Sequence, residues 1–471
     1  MTLASGHSTF SIHTYGCQMN VRDSGVLARR LVAAGYSEAA SEDAADIVVV
    51  NSCSVREKAE DKAIGKLLML CAARRDRPGL VVGLTGCMAN RLGDGVFKKV
   101  PGLSFSFGPR TGAVLPQLVE RALAGEAQMW VPDPERAGEG ASENGVSAGD
   151  GGGREGDAAR SGRPLAQSFV TILYGCNQRC SYCIVPFVRG REESRDPGVI
   201  VEEVREEARR GARDVCLLGQ SVMRYGKMGF KWPDSIPSPM GFTEPLPRLL
   251  ELVAREVPEV RRLRFTSGHP LGVTDELVRA MREIPAVCAH LHLPMQSGSD
   301  RILRQMRRGY DSSRYLEAVR MLREGVPDIA ITTDVIVGYP GETAEDFEAT
   351  RRIMEEAAFD NAFVFKYSPR PGTDSALVED DVPDEEKCRR DQVLLADQDA
   401  RGQRLNDRWI GRNVEVLVDG PSLRNASRWS GRTEQNKIVV FDPVDGMNAG
   451  DFAFVSIEGA RPQTLFGTVA R

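Results

Sequence analysis

The chain has 471 residues, 41% of them hydrophobic and 27% charged, with a formal net charge of −5, which predicts a soluble globular protein of two or three domains. The mild acidity excludes a wholesale electrostatic grip on nucleic acid, so any such grip has to come from a local basic face. No apolar run reaches the roughly 18 residues of a membrane-spanning helix, residues 1–10 lack the segments of a signal peptide, and ten cysteines in such a chain read as reduced thiols or metal ligands; a cytoplasmic protein without a membrane partner is expected.

Residues 1–130 read as a doubly wound α/β domain. Three strand-like runs, 10–16, 46–52 and 80–86, run into Cys17, Cys53 and Cys87, and their apolar stretches suit strands buried on both faces. Helical patterns over 24–34 and 59–73 separate them. Ligands of such folds gather at the carboxyl ends of the strands, which places all three thiols on one rim, where they make a site for an iron–sulfur cluster. The competing reading is three small residues that close strands, because free cysteine is often simply buried. Over 131–164 Gly, Glu, Ser, Asp and Ala dominate without a periodic apolar face, which predicts a flexible linker with no part in the chemistry.

The next block, 165–405, opens with a strand-like run over 169–173 that enters Tyr174-Gly175-Cys176-Asn177-Gln178-Arg179-Cys180-Ser181-Tyr182-Cys183. Four thiolates normally hold a four-iron cluster. The C-x₃-C-x₂-C set of Cys176, Cys180 and Cys183 leaves one iron open, and an open position is where a ligand binds and chemistry begins. Zinc is the alternative, but zinc usually takes paired C-x₂-C knuckles, and no second knuckle lies nearby. Further strand candidates, 215–219, 263–267, 289–293, 329–337 and 362–367, alternate with amphipathic runs over 199–209, 246–257, 275–281, 300–306, 315–324 and 344–357. Six βα units predict a parallel, barrel-like sheet with the active site at the strands' carboxyl ends. Arg189, Arg191 and Arg195 can hold a carboxylate, contact phosphates or pair with Glu192 and Glu193, and Arg370 is placed in the same site. His290 and His292 alternate on one strand, and a hydrogen-bonded structural role is favoured over metal binding. Cys71, Cys216, Cys288 and Cys388 read as buried or incidental.

In the last block, 406–471, alternating runs over 414–418, 438–441 and 452–457 separated by Gly, Asp and Asn turns predict a small antiparallel β-barrel. Between 421 and 441, Arg424, Arg428, Arg432 and Lys437 meet only Glu434, with Trp429 among them. Basic residues interleaved with an aromatic suit RNA binding; a solvated hairpin is the alternative.

Several of these stretches resemble a known family. The segment 174–183 resembles the signature of the radical S-adenosylmethionine (SAM) enzymes. That resemblance implies an incomplete (βα)₆ barrel, SAM bound through its amino and carboxylate groups to the open iron, Tyr182 along the adenine, and cleavage of SAM to a 5′-deoxyadenosyl radical. It also assigns Gln220, in Gly219-Gln220-Ser221-Val222, to the SAM amino group and Asp334 to the adenine and ribose, with Arg191 as a further cofactor-binding candidate. Thr14-Tyr15-Gly16-Cys17-Gln18-Met19-Asn20, Asn51-Ser52-Cys53-Ser54-Val55-Arg56-Glu57-Lys58-Ala59-Glu60 and Gly86-Cys87-Met88-Ala89 resemble the N-terminal domain of the methylthiotransferases. Residues 54–59 are most similar to the MiaB-type tRNA branch, in which Thr usually stands at the place of Ser52. Residues 431–437 resemble the RNA-binding TRAM domain.

Together these resemblances imply SAM and two [4Fe-4S] clusters, the second held by Cys17, Cys53 and Cys87 and handling sulfur. The implied transferase adds a methylthio group to C2 of N6-(dimethylallyl)adenosine at position 37, in the anticodon stem-loop of tRNA. One SAM methylates sulfur associated with the N-terminal cluster, and a second yields the radical that activates C2. An electron donor such as flavodoxin or ferredoxin, a sulfur donor and a monomeric state are implied too. The rival readings are a methylthiotransferase acting on threonylcarbamoyl-adenosine or on a ribosomal-protein aspartate, both of which carry other residues after this cysteine, and a non-enzymatic iron–sulfur RNA-binding protein, which has no need of the Gln220 and Asp334 loops.

Overall fold

In the computed structural model, which describes residues 8–54, 57–134 and 167–470, the chain forms two units. The first takes the described residues up to Pro134 together with 175–177 and 184–191; the second takes the rest. The expected linker from residue 135 onward lies outside the described residues, as do Val55 and Arg56.

The first unit runs β1 (Thr9–Tyr15), α1 (Gln18–Ala33), β2 (Ser37–Glu38), β3 (Ile47–Ser52), α2 (Glu57–Ala73), β4 (Val81–Thr85), α3 (Cys87–Leu92), α4 (Val96–Lys99), β5 (Phe105–Phe107), α5 (Leu115–Leu123) and β6 (Met129–Val131). Its six strands are parallel, in the order β2-β1-β3-β4-β5-β6. The apolar run 47–50 that opens β3 follows from burial on both faces. Ile47 and Val49 pack with Leu27, Leu31, Leu115 and Leu118 of α1 and α5, whereas Val48 and Val50 pack with Ala63, Leu67 and Leu70 of α2. The strand order reverses between β1 and β3, which makes a topological switch point at their carboxyl ends. Ordered chain continues past residue 130: β6 ends at Val131, and buried Asp133 accepts hydrogen bonds from Asn90 Nδ2 at 2.7 Å and Arg110 N at 2.9 Å.

Beyond the linker come β7 (Gln167–Thr171), β8 (Leu173–Tyr174), α6 (Val185–Arg189), β9 (Glu193–Ser194), α7 (Pro197–Arg209), β10 (Asp214–Leu218), α8 (Pro245–Glu256), β11 (Arg262–Phe265), α9 (Asp275–Glu283), β12 (His290–His292), α10 (Asp300–Gln305), α11 (Ser312–Gly325), β13 (Ala330–Val337), α12 (Ala344–Ala357), β14 (Asn361–Lys366) and α13 (Asp384–Asp407). Helix α6 belongs to the first unit. The run expected as one strand over 169–173 breaks at Ile172, and β8 pairs antiparallel with β9 instead. Parallel sheets β7-β10-β11 and β12-β13-β14 meet through a parallel bridge between Leu263 and Val287. The six strands thus form an arc, the incomplete barrel that the radical SAM resemblance implies, and no β7–β14 pairing closes it among the described residues.

The chain ends in a closed barrel of β15 (Asn413–Pro421), β16 (Trp429–Arg432), β17 (Ile438–Phe441), β18 (Phe452–Arg461) and β19 (Thr464–Val469), in the order β15-β16-β17-β19-β18. It is not purely antiparallel as expected, since β17 and β19 run parallel. Five strands in a closed ring cannot alternate in direction all the way round, so one pair has to be parallel.

The hairpin between β16 and β17 finds partners outside its own stretch of sequence. Its backbone docks on the strand starts of the partial barrel. Arg264 donates to Thr433 O (2.9 Å) and Glu434 O (2.7 Å), and Arg262 donates to Arg432 O (2.5 Å). Three of the four basic residues have acidic partners from outside the hairpin window: Lys437 with Asp360 (2.7 Å), Arg428 with Asp442 (3.1 Å) and Arg432 with Asp419 (3.7 Å). The local sequence conceals these partners because tertiary packing brings them in. Arg264 is itself buried and held by Asp214 at 2.8 Å. Removing one member of a buried ion pair costs about 3–5 kcal/mol. Asp214→Ala should therefore lower the unfolding midpoint of the second unit in urea and speed proteolytic release of the C-terminal barrel. An unchanged midpoint and cleavage rate would show that Arg264 does not need this partner.

Candidate functional site

In the first unit Cys17, Cys53 and Cys87 follow β1, β3 and β4 directly, at and beside the switch point. Cys53 lies between the other two, and its thiol hydrogen-bonds to both. These bonds are the largest cause lowering the pKa values of Cys17 and Cys87 while raising that of Cys53. Thiolate is the metal-binding form of cysteine. The backbone is shaped for the approach: a Cβ on Gly16 would lie 2.8 Å from Cys53 Cβ, and one on Gly86, at φ +95°, would lie 2.4 Å from Ser52 O. The glycine before each outer cysteine therefore lets its strand end close on Cys53.

A buried polar network fixes this rim. Cys17 caps α1, and its N–H donates to Asn20 Oδ1 at 3.3 Å. Asn20 Nδ2 donates to Asn51 Oδ1 (2.9 Å), and Asn51 Nδ2 donates to Asn20 O (2.9 Å) and Ser24 Oγ (3.0 Å). Arg91, four residues after Cys87, donates to Ser54 Oγ (2.9 Å) and to both carboxylate oxygens of Glu60 (2.9 and 2.6 Å), which ties α3 to the segment after Cys53. Val188 of α6 and Ile184, which caps that helix, pack against Cys87.

Of the central loop, Cys176 belongs to the first unit, and Cys180 and Cys183 to the second. The turn 180–183 is pinned on all sides. Ser181 N donates to Met306 O (3.2 Å), Ser181 Oγ donates to Gln305 O (2.8 Å) and lies 2.9 Å from Tyr339 OH, and Ser375 N donates to Ser181 O (2.8 Å). Tyr182 is half-buried against Ile302, Met306, Tyr339 and Tyr367. Arg308 escaped the sequence reading. It is buried, donating to Cys180 Sγ at 3.2 Å and to Tyr310 OH at 3.1 Å. Nothing in the local pattern Arg307-Arg308-Gly309 distinguishes it from a solvated residue.

The other candidates separate as follows. Gln220 follows β10, and its Oε1 is buried without a hydrogen-bond partner among the described residues, so an acceptor is left for a ligand's donor. Asp334 lies on β13 with His292 Nε2 at 3.3 Å, and His292 Nδ1 is 2.9 Å from Thr332 Oγ1, a structural setting for that histidine. His290 is buried, and burial holds its pKa well below the ordinary value. Among the described residues no three His, Cys, Asp or Glu side chains are arranged for a single metal ion; ligands of a polynuclear cluster are spread over several irons. Arg191 is exposed. Two of the loop arginines do form ion pairs, but with other carboxylates than Glu192 and Glu193: Arg195 pairs with Glu203 (2.6 Å) and Arg189 with Asp23 (2.8 Å), while Glu192 pairs with Arg224 (2.7 Å). His269 follows β11. It is buried, its pKa is pushed down to about 3 chiefly by burial, and its Nε2 meets no partner among the described residues.

Known proteins match the chain over nearly all of its length. Residues 9–108 match the uncharacterized protein family UPF0004, 170–354 the radical SAM superfamily and 407–470 the TRAM domain. A tRNA-2-methylthio-N(6)-dimethylallyladenosine synthase of Akkermansia muciniphila is 42% identical, over 97% of each chain. The chain belongs to this synthase family of radical SAM enzymes. A second member, from Methylacidiphilum infernorum, is 39% identical over 97% of this chain and 94% of its own. Membership implies SAM and a [4Fe-4S] cluster. The solved structure of the radical SAM methyltransferase TsrM from Kitasatospora setae shares the fold alone, with a TM-score of 0.52 at 14% identity, covering 79% of this chain and 77% of that one. No helix among the described residues is long and apolar enough to cross a membrane.

Proposed function

We propose that the protein adds a methylthio group to C2 of N6-(dimethylallyl)adenosine at position 37 of tRNA, using SAM and two [4Fe-4S] clusters. The observation that carries this reading is the convergence of Cys17, Cys53 and Cys87 at a switch point, in a chain that also holds the Cys176, Cys180 and Cys183 loop. The full-length relatives' names favour the dimethylallyl-adenosine substrate over threonylcarbamoyl-adenosine or a protein aspartate.

When bound, a four-iron cluster with one open iron supplies the electron that cleaves SAM. The chain's own residues do the rest. Cys176, Cys180 and Cys183 hold that cluster, and Arg308 orients the Cys180 sulfur. Gln220 Oε1 accepts from the SAM ammonium, Asp334 and Tyr182 position ribose and adenine, and Arg191 contacts the cofactor. Cys17, Cys53 and Cys87 hold the second cluster, with Asn20 and Asn51 fixing the backbone around it. The C-terminal barrel contributes to tRNA binding in the anticodon stem-loop region. An electron donor such as flavodoxin or ferredoxin, a sulfur donor, a monomeric state and a cytoplasmic location belong to the same reading.

Mass spectrometry of nucleosides from tRNA of cells with and without the gene tests it. The methylthiolated nucleoside should vanish without the gene and its unthiolated dimethylallyl precursor should accumulate. Unchanged nucleosides, or loss of methylthio-threonylcarbamoyl-adenosine instead, would overturn the assignment.

A further inference from the structure

Arg189 is among the more deeply buried cations of the first unit, with its side chain 4% exposed. Burying a guanidinium costs several kcal/mol unless it is paired and hydrogen-bonded. Its Nη1 donates to Asp23 at 2.8 Å, and its Nε donates to Cys87 Sγ at 3.0 Å. Its Nη2 is buried and meets no acceptor among the described residues. A fully ordered fork with one arm on a carboxylate, one on a sulfur and one unmatched is aimed at something more than the ion pair. The α6 backbone holds it there: Val188 O accepts from Asn90 Nδ2 at 3.0 Å, and Ile184 and Val188 pack on Cys87. The central loop has a parallel in Arg308, whose Nη1 donates to Cys180 Sγ at 3.2 Å.

We infer that Arg189 is the positioning residue of the N-terminal cysteine set: it orients the Cys87 sulfur, offers Nη2 to a sulfide of the cluster, and raises that cluster's reduction potential. The inference rests on reading Cys17, Cys53 and Cys87 as cluster ligands. Three thiolates make the cluster anionic, and reduction adds one more negative charge. A fixed cation and an N–H donor beside a ligand sulfur both stabilise the reduced form. Asp23 offsets part of the charge but leaves the directed hydrogen bond, which a lysine cannot reproduce because its ammonium lacks the planar fork.

The test uses the full chain with Cys176, Cys180 and Cys183 changed to Ala, reconstituted anaerobically, so that one cluster alone reports. The midpoint potential is read by titration followed by electron paramagnetic resonance for Arg189, R189K and R189M proteins. The expected order runs downward from Arg189 through R189K to R189M, with about four irons retained in each. If R189M takes up no iron, R189K decides: a potential below that of Arg189 supports the inference, and an equal one overturns it. Equal potentials in all three overturn it. Failure of both variants to take up iron, with circular dichroism unchanged, also overturns it and makes Arg189 a purely structural anchor. If the Arg189 protein itself binds no iron in this background, the cluster reading fails, and the role of Arg189 falls with it.

Discussion

Changing Cys17, Cys53 and Cys87 together to Ala should halve the iron of anaerobically reconstituted protein, from about eight to about four per chain. It should also abolish methylthiolation of dimethylallylated tRNA while 5′-deoxyadenosine still forms from SAM and dithionite. The three thiols close strands of the first unit, and each replacement removes only a sulfur atom from a rim that Asn20, Asn51 and Arg91 continue to brace. The fold should therefore survive, and the loss should be chemical. Chromatography of 5′-deoxyadenosine beside nucleoside analysis of the same reactions separates the two activities. Methylthiolated tRNA from this variant would sink the assignment of sulfur handling to the N-terminal set.

The reciprocal change, Cys176, Cys180 and Cys183 to Ala, should eliminate both products and again leave about four irons per chain. The resemblance of the C-x₃-C-x₂-C loop to the radical SAM signature assigns reductive cleavage of SAM to this set, so no residual 5′-deoxyadenosine is expected. The 180–183 turn is held by backbone bonds to Met306 and from Ser375, none of which involves a thiol, so loss of activity should not reflect loss of the loop. Deoxyadenosine formation by this variant would show that the radical chemistry resides elsewhere.

The sequence by itself determined the apolar runs, and with them the parallel layers. Residues 47–50 and 81–84 hold no polar side chain, a pattern that burial on both faces sustains, and they fall in β3 and β4. The βα alternation after residue 165 likewise specified six parallel strands. The two cysteine sets were legible because the C-x₃-C-x₂-C spacing is local, and because a cysteine closing each of three parallel strands has to share a rim with the others. Strands β5 and β6 were invisible at three residues each, too short for any period to show. In the C-terminal barrel β16 escaped because Trp429-Ser430-Gly431-Arg432 lacks apolar alternation. Its mixed strand directions follow from ring closure and not from any residue.

Tertiary structure alone decided which charges meet. Arg189 reaches Cys87 across 102 residues of chain, and Arg308 reaches Cys180 across 128. An arginine has the same local signature whether it pairs with solvent, a carboxylate or a sulfur. The hairpin 421–441 makes the same point from the other direction. Read locally it holds four cations against Glu434, yet Asp360, Asp442 and Asp419 take up three of them. Charge pairing depends on distance in space and on desolvation, and both are set by packing between elements far apart in the chain.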